Sequence, residues 1–143
     1  MNPYLIIIIL ALVGEFLVGS VVRHLNLKAM SPNLPSEFDG FYQSQEYQKS
    51  QRYTQAKTKL SYMTSSVSLL AILGLIFIGG FSWLDNYVRG FGLPPIPTGL
   101  LFFGLLFLAN DWLSFPFSFY NTFIIEGKFG FNKTTIKTFL LDK

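Results

Sequence analysis

Three long apolar runs divide the chain. Pro3 to Val22 is twenty residues with one charge, Glu15; Leu60 to Leu84 is 25 residues with none; Thr98 to Ile125 is 28 residues with one, Asp111. A bilayer core of about 30 Å takes about 20 helical residues, so each run predicts a membrane span. Met1-Asn2-Pro3-Tyr4 carries no Lys or Arg, unlike the basic start of a cleaved signal peptide, and the first run is read as a retained span. Tyr62 and Trp83 flank the second run as interfacial anchors. The third is long for an untilted span and contains Pro116, which lacks the N–H a continuous helix uses, so a kink is expected there.

Polar segments separate these runs. The segment 23–59 opens with Ser31-Pro32-Asn33-Leu34-Pro35, an irregular stretch. Ser36, three before Asp39, is a weak helix-start signal. No Pro follows until the second span is passed, and Tyr42, Tyr47, Tyr53, Ala56 and Leu60 form a helical stripe among glutamines and charges. That predicts a helix entering the second span directly, its aromatic stripe packed on the protein. Gly90, Gly92, Pro94, Pro95 and Pro97 predict a short turn between the second and third spans. In the tail 126–143, Asn132 is the expected N-cap of a helix carrying Ile136, Phe139 and Leu140 at i, i+3 and i+4. That pattern is still running at Lys143, which suggests a longer natural chain.

The charges orient this pattern. Of the eleven Lys and Arg residues, Arg23, Lys28, Lys49, Arg52, Lys57 and Lys59 lie in the first loop, Arg89 alone in the second, and Lys128, Lys133, Lys137 and Lys143 in the tail. Basic loops stay cytoplasmic, which places the N-terminus outside and the first loop and tail inside. The same distribution argues against a nucleic-acid partner despite the net charge of +3, since the charges flank apolar runs rather than share one face. The sequon Asn132-Lys133-Thr134 is an accident on the cytoplasmic side.

Composition narrows the chemistry. Half of the 143 residues are hydrophobic, 13% are charged and none is Cys, which excludes a disulfide scaffold, a thiolate metal site and a cysteine nucleophile. His24 is the single histidine and no His-Glu-x-x-His occurs, so no catalytic zinc site with its three or so protein ligands can be assembled. Gly79-Gly80 and Gly90-Phe91-Gly92 lack the Lys-Ser/Thr of a phosphate loop. Glu15 and Asp111 stand out, because an ionisable group at membrane depth is costly and normally faces protein or water. Two readings fit them: they line a polar chamber or proton path, or they are protonated or hydrogen-bonded between helices, with Asn110 or Ser114 beside Asp111. Glu126 reads as an ordinary interfacial charge.

Several stretches carry a family resemblance. They are Leu34-Pro35-Ser36-Glu37-Phe38; Tyr47-Gln48-Lys49-Ser50-Gln51-Arg52-Tyr53 with Ala56-Lys57; and Gly79-Gly80-Phe81-Ser82-Trp83-Leu84-Asp85. Thr98-Gly99-Leu100-Leu101-Phe102-Phe103-Gly104 and Pro116-Phe117-Ser118-Phe119-Tyr120-Asn121-Thr122-Phe123 follow, then Glu126-Gly127-Lys128-Phe129-Gly130-Phe131-Asn132-Lys133-Thr134-Thr135. The chain resembles the N-terminal membrane domain of the type I CAAX prenyl proteases, integral-membrane zinc metalloendopeptidases. The resemblance implies an all-α membrane protein: three transmembrane helices (about 3–22, 60–84 and 98–125) and a cytoplasmic helical loop, part of a larger seven-span bundle around a water-filled chamber. It implies a residence in the endoplasmic reticulum if eukaryotic or the inner membrane if bacterial.

It also implies zinc in the full-length family, a C-terminal catalytic part as partner, and a prenylated or membrane-protein peptide as substrate. In this chain the implied roles are scaffold roles. Glu15, Asp111, Asn110 and Asn121 are the candidate chamber-lining residues. Glu126, Phe129, Gly130, Phe131 and Asn132 are the candidate junction to the catalytic part. No catalytic, cofactor or metal residue can be placed here, so the chain is expected to be inactive alone. The competing readings are a stand-alone membrane adaptor and a small multidrug-type transporter, which wants four spans and short loops.

Overall fold

The computed structural model describes residues 2–31, 33–34 and 43–142, and every element in it is helical. The helices are α1 (Pro3–Ala29), α2 (Ser44–Phe77), α3 (Gly80–Arg89) and α4 (Pro95–Phe119), then a π-helical segment (Tyr120–Glu126), α5 (Gly127–Phe129) and α6 (Ile136–Leu141). Three helical stretches are long and apolar enough to cross a membrane: Pro3–Ala29, Ser44–Phe77 and Pro95–Phe129. Their apolar windows are not buried within the chain. That is the pattern of helices whose apolar sides meet lipid or further spans, since lipid-facing helices need no water-shielded core. The expected helix start at Ser36 and the stripe position Tyr42 lie outside the described residues.

Contacts group the chain into two units, Met1–Val18 with Thr64–Pro116, and Gly19–Met63 with Phe117–Lys143. In the first unit the second apolar run is not one helix. It stops at Phe77, and a new helix begins at Gly80. Gly79 holds a left-handed backbone with φ 71°, a conformation that costs a Cβ-bearing residue about 1–2 kcal/mol. At Gly80 a Cβ would stand 2.7 Å from Leu75 Cδ2 and 3.3 Å from the Leu75 carbonyl oxygen. One glycine supplies the turn and the other the close approach, and hydropathy registers neither.

The helix released by this break, α3, is amphipathic. Val88 is fully buried, while Trp83 and Tyr87 stack outward at 5.7 Å between centroids and Phe91 meets Tyr87 edge-on at 5.4 Å. Arg89 Nε donates to Asp85 Oδ2 at 2.7 Å, one turn back. This hydrogen bond, and then the charge of Asp85, raise the guanidinium pKa above its ordinary value. The following turn leads into α4, where the buried Thr98 hydroxyl donates to the carbonyls of Pro94 (2.9 Å) and Leu93 (3.0 Å).

The third span changes its helical geometry past its proline. α4 continues through Pro116 to Phe119, and the change of geometry comes at Tyr120, where the backbone widens into the π segment. A proline takes its own N–H out of the ladder and crowds the carbonyl four residues back, while in lipid the other backbone groups keep their helical bonds because no water competes for them.

Candidate functional site

In the second unit, polar and aromatic contacts centre on Glu126. In an α-helix five residues advance to a face about 140° away from the start. A π segment closes i→i+5 instead. Asn121 and Glu126, five apart on that segment, consequently meet: Asn121 Nδ2 donates to Glu126 Oε1 at 2.9 Å. The same carboxylate oxygen accepts from the Tyr53 hydroxyl at 3.5 Å and lies 4.0 Å from Lys57 Nζ. Both of these come from α2. The Glu126 carbonyl accepts the backbone N–H groups of Phe131 (2.9 Å) and Asn132 (3.2 Å). Glu126, read from sequence as an ordinary interfacial charge, is here a half-buried hub.

Aromatic packing reinforces the hub. Gly130 has φ 73°, a left-handed turn that ends α5. Across it, Phe129 and Phe131 both reach the Tyr53 ring, with centroids at 5.6 Å and 4.8 Å. Lys57 Nζ lies 5.2 Å from the Tyr53 centroid and Lys49 Nζ lies 5.1 Å from that of Phe131, each within cation–π range. So the expected aromatic stripe does pack on the protein through Tyr53, and its partner is the segment 129–131.

Past this segment, Thr135 rather than Asn132 caps α6. Its hydroxyl accepts from Thr138 N at 3.2 Å, while Asn132 Oδ1 accepts from Thr134 N at 2.7 Å in a local turn. An Asn side chain bonds its own backbone two residues on as readily as it caps a helix, and here the extended backbone of Thr135 (φ −83°, ψ 158°) has the N-cap geometry. α6 then docks through the buried Phe139, 5.3 Å from Phe123 and 5.9 Å from Phe119. Elsewhere in this unit the Tyr62 hydroxyl donates to the Ser20 carbonyl at 2.7 Å, with the Arg23 guanidinium 5.3 Å from its ring, which ties α1 to α2.

Among the candidates proposed from sequence, Glu126, Phe129, Gly130, Phe131 and Asn132 are brought together, and Asn121 joins them rather than Asp111. Asp111 (half-buried) and Asn110 (exposed) follow each other on α4 in the first unit, and Glu15 is exposed on α1. Tyr53, Lys49 and Lys57 were not singled out as site residues. The usable signal was an aromatic stripe on one helix and a Phe-Gly-Phe turn more than seventy residues later, with nothing in the sequence to pair them. The first unit also holds an apolar groove of about 670 Å³ between Leu75, Ile78, Trp83, Leu84, Leu105 and Leu106, with no titratable group other than the outward Tyr87 in its walls.

A metal does not fit these residues. Among the described residues no group of three or more His, Asp or Glu side chains could hold an ion, and His24 stands exposed.

The family model for the N-terminal region of CAAX prenyl proteases, described as having five membrane helices, matches residues 23–143. The chain belongs to the CAAX prenyl protease N-terminal family. Relatives include the CAAX prenyl protease 1 homolog of Arabidopsis thaliana, 32% identical over 119 residues that cover 78% of this chain and 28% of the relative. The probable CAAX prenyl protease 1 of Schizosaccharomyces pombe is 32% identical over 111 residues, 68% of this chain and 23% of the relative. The crystal structure of S. mikatae Ste24p superposes with a TM-score of 0.85 at 26% identity, covering 99% of this chain and 35% of that one. The chain thus spans roughly a quarter to a third of the length of these relatives. Membership and the three long apolar helices together make it an integral membrane protein, the all-helical N-terminal membrane region of a CAAX prenyl protease.

Proposed function

We propose that this chain is the non-catalytic scaffold of an integral-membrane metalloendopeptidase: it walls part of the chamber and delivers the polypeptide to a C-terminal catalytic part. The observation that supports this reading is the clustering of Glu126, Phe129 and Phe131 against α2, while among the described residues no group of three or more His, Asp or Glu side chains could hold an ion. The zinc, the general base and the peptide-bond chemistry belong on this reading to the catalytic part. The substrate class is a prenylated CAAX protein or, in a bacterial setting, a membrane protein. Glu15, Asp111 and Asn110 face the chamber, the N-terminus is outside, and the membrane is that of the endoplasmic reticulum or a bacterial inner membrane.

The test compares the purified 143-residue chain with the complete reading frame in detergent, each given zinc and a prenylated peptide or casein. Hydrolysis by the complete protein, abolished by a chelator, and none by the 143-residue chain is the expected result. Chelator-sensitive cleavage by the pure 143-residue chain, or an inactive complete protein without a His-Glu-x-x-His, would overturn the proposal.

A further inference from the structure

We infer that Tyr53 and Glu126 form a clasp that positions the catalytic part, so that residues of the cytoplasmic half of α2, which touch no substrate, set the rate of the hydrolysis proposed above; the inference rests on that reading. The helical backbone runs on from α4 through the π segment and α5 and ends at Gly130, whose left-handed conformation turns the chain away. What gives the path its direction is outside that turn. The Tyr53 ring packs against Phe129 and Phe131, one on each side of the left-handed Gly130. The Glu126 side chain takes the Asn121 amide, the Tyr53 hydroxyl and the charge of Lys57, while its carbonyl takes two amides from the segment that leaves. One residue therefore joins α2, the π segment and the departing backbone.

A second attachment point lies on the end of the third span. Phe139 is held by Phe119 and Phe123, so α6 stays docked when the clasp is opened. Loss of the clasp should accordingly displace the segment between Glu126 and Thr135 without unfolding the chain. A displacement of about 1 Å far from the chemistry can cost on the order of 100-fold in rate, because reacting groups lose their alignment.

The experiment uses the full-length protease with Tyr53→Ala, Tyr53→Phe and Glu126→Gln. Tyr53→Ala is expected to lower kcat for a prenylated peptide by on the order of 10- to 100-fold, with KM shifted by no more than about two-fold and metal content per chain retained. Tyr53→Phe keeps both ring contacts and should recover most of the loss, and Glu126→Gln should fall between. Amide exchange in the same proteins gives a readout that needs no activity: Phe131 and Asn132 should exchange faster in Tyr53→Ala than in Tyr53→Phe. Parental kcat in Tyr53→Ala would overturn the inference, as would unaltered exchange at both amides. So would a joint loss of metal, KM and thermal stability that Tyr53→Phe does not relieve, which marks a purely structural ring. An unsubstituted full-length protein without peptidase activity would sink the proposed function instead, and the exchange comparison would still decide the clasp.

Discussion

Asn121 donates to Glu126 across five residues of one helical segment, at 2.9 Å. The contact exists because the backbone there is π rather than α, and the carboxylate makes it a charge-assisted bond, of the stronger kind. Asn121→Ala should cost about 1–2 kcal/mol of stability, read from chemical unfolding in detergent. The exposed Asn86→Ala on α3 is the control and should stay within about 0.5 kcal/mol of the parent.

The glycines at the α2–α3 break should be far less replaceable than those within the spans. Gly79→Ala places a Cβ on a backbone with φ 71°, at about 1–2 kcal/mol, and Gly80→Ala presses against Leu75. Gly14 sits mid-helix with nothing within 4 Å of its would-be Cβ, so Gly14→Ala should raise stability by about 0.5–1 kcal/mol. Thermal unfolding of the three variants separates them, and equal behaviour would remove the argument for the break.

The helical class, the three apolar helices and the aromatic stripe were legible in the sequence because they depend on local period and on burial in lipid. What escaped were contacts between distant segments and changes of helical geometry. The helix runs on through Pro116 and widens at Tyr120, where no residue type announces a π turn. Gly79-Gly80 sat inside an uncharged run and so vanished into the hydropathy, although its backbone conformation divides the run. At Asn132, two side-chain uses compete, a cap and a local turn, and only the backbone of Thr135 settled which residue became the cap. Tyr53 and Glu126 are 73 positions apart, and no periodicity relates them.

Topology can be read directly, since the chain is naturally free of cysteine. With a Cys at Ser44 or at Gly92, an impermeant thiol reagent added from outside should label position 92 and not 44. This follows from the distribution of basic residues along the chain. The opposite labelling would invert the assignment.

Glu15 and Asp111 should lie against water or protein in the full-length enzyme. Cysteines at these positions should react with a small water-soluble thiol reagent and resist quenching from the lipid phase, as expected of ionisable positions at membrane depth. Strong lipid-phase quenching without aqueous reactivity at both would remove them from the chamber wall.

The break at Gly79 has a consequence for how the chain matches its membrane. Read as one run to Leu84, the second apolar stretch would be about 37 Å long; ended at Phe77, its apolar part from Leu60 is about 27 Å. A span that short fits a thin bilayer and is mismatched by several ångströms in a thick, sterol-rich one. There the lipid must thin locally or Lys59 must extend along the helix to reach the headgroups. A single pair of glycines thus shortens a helix whose composition alone would have suited a thicker membrane.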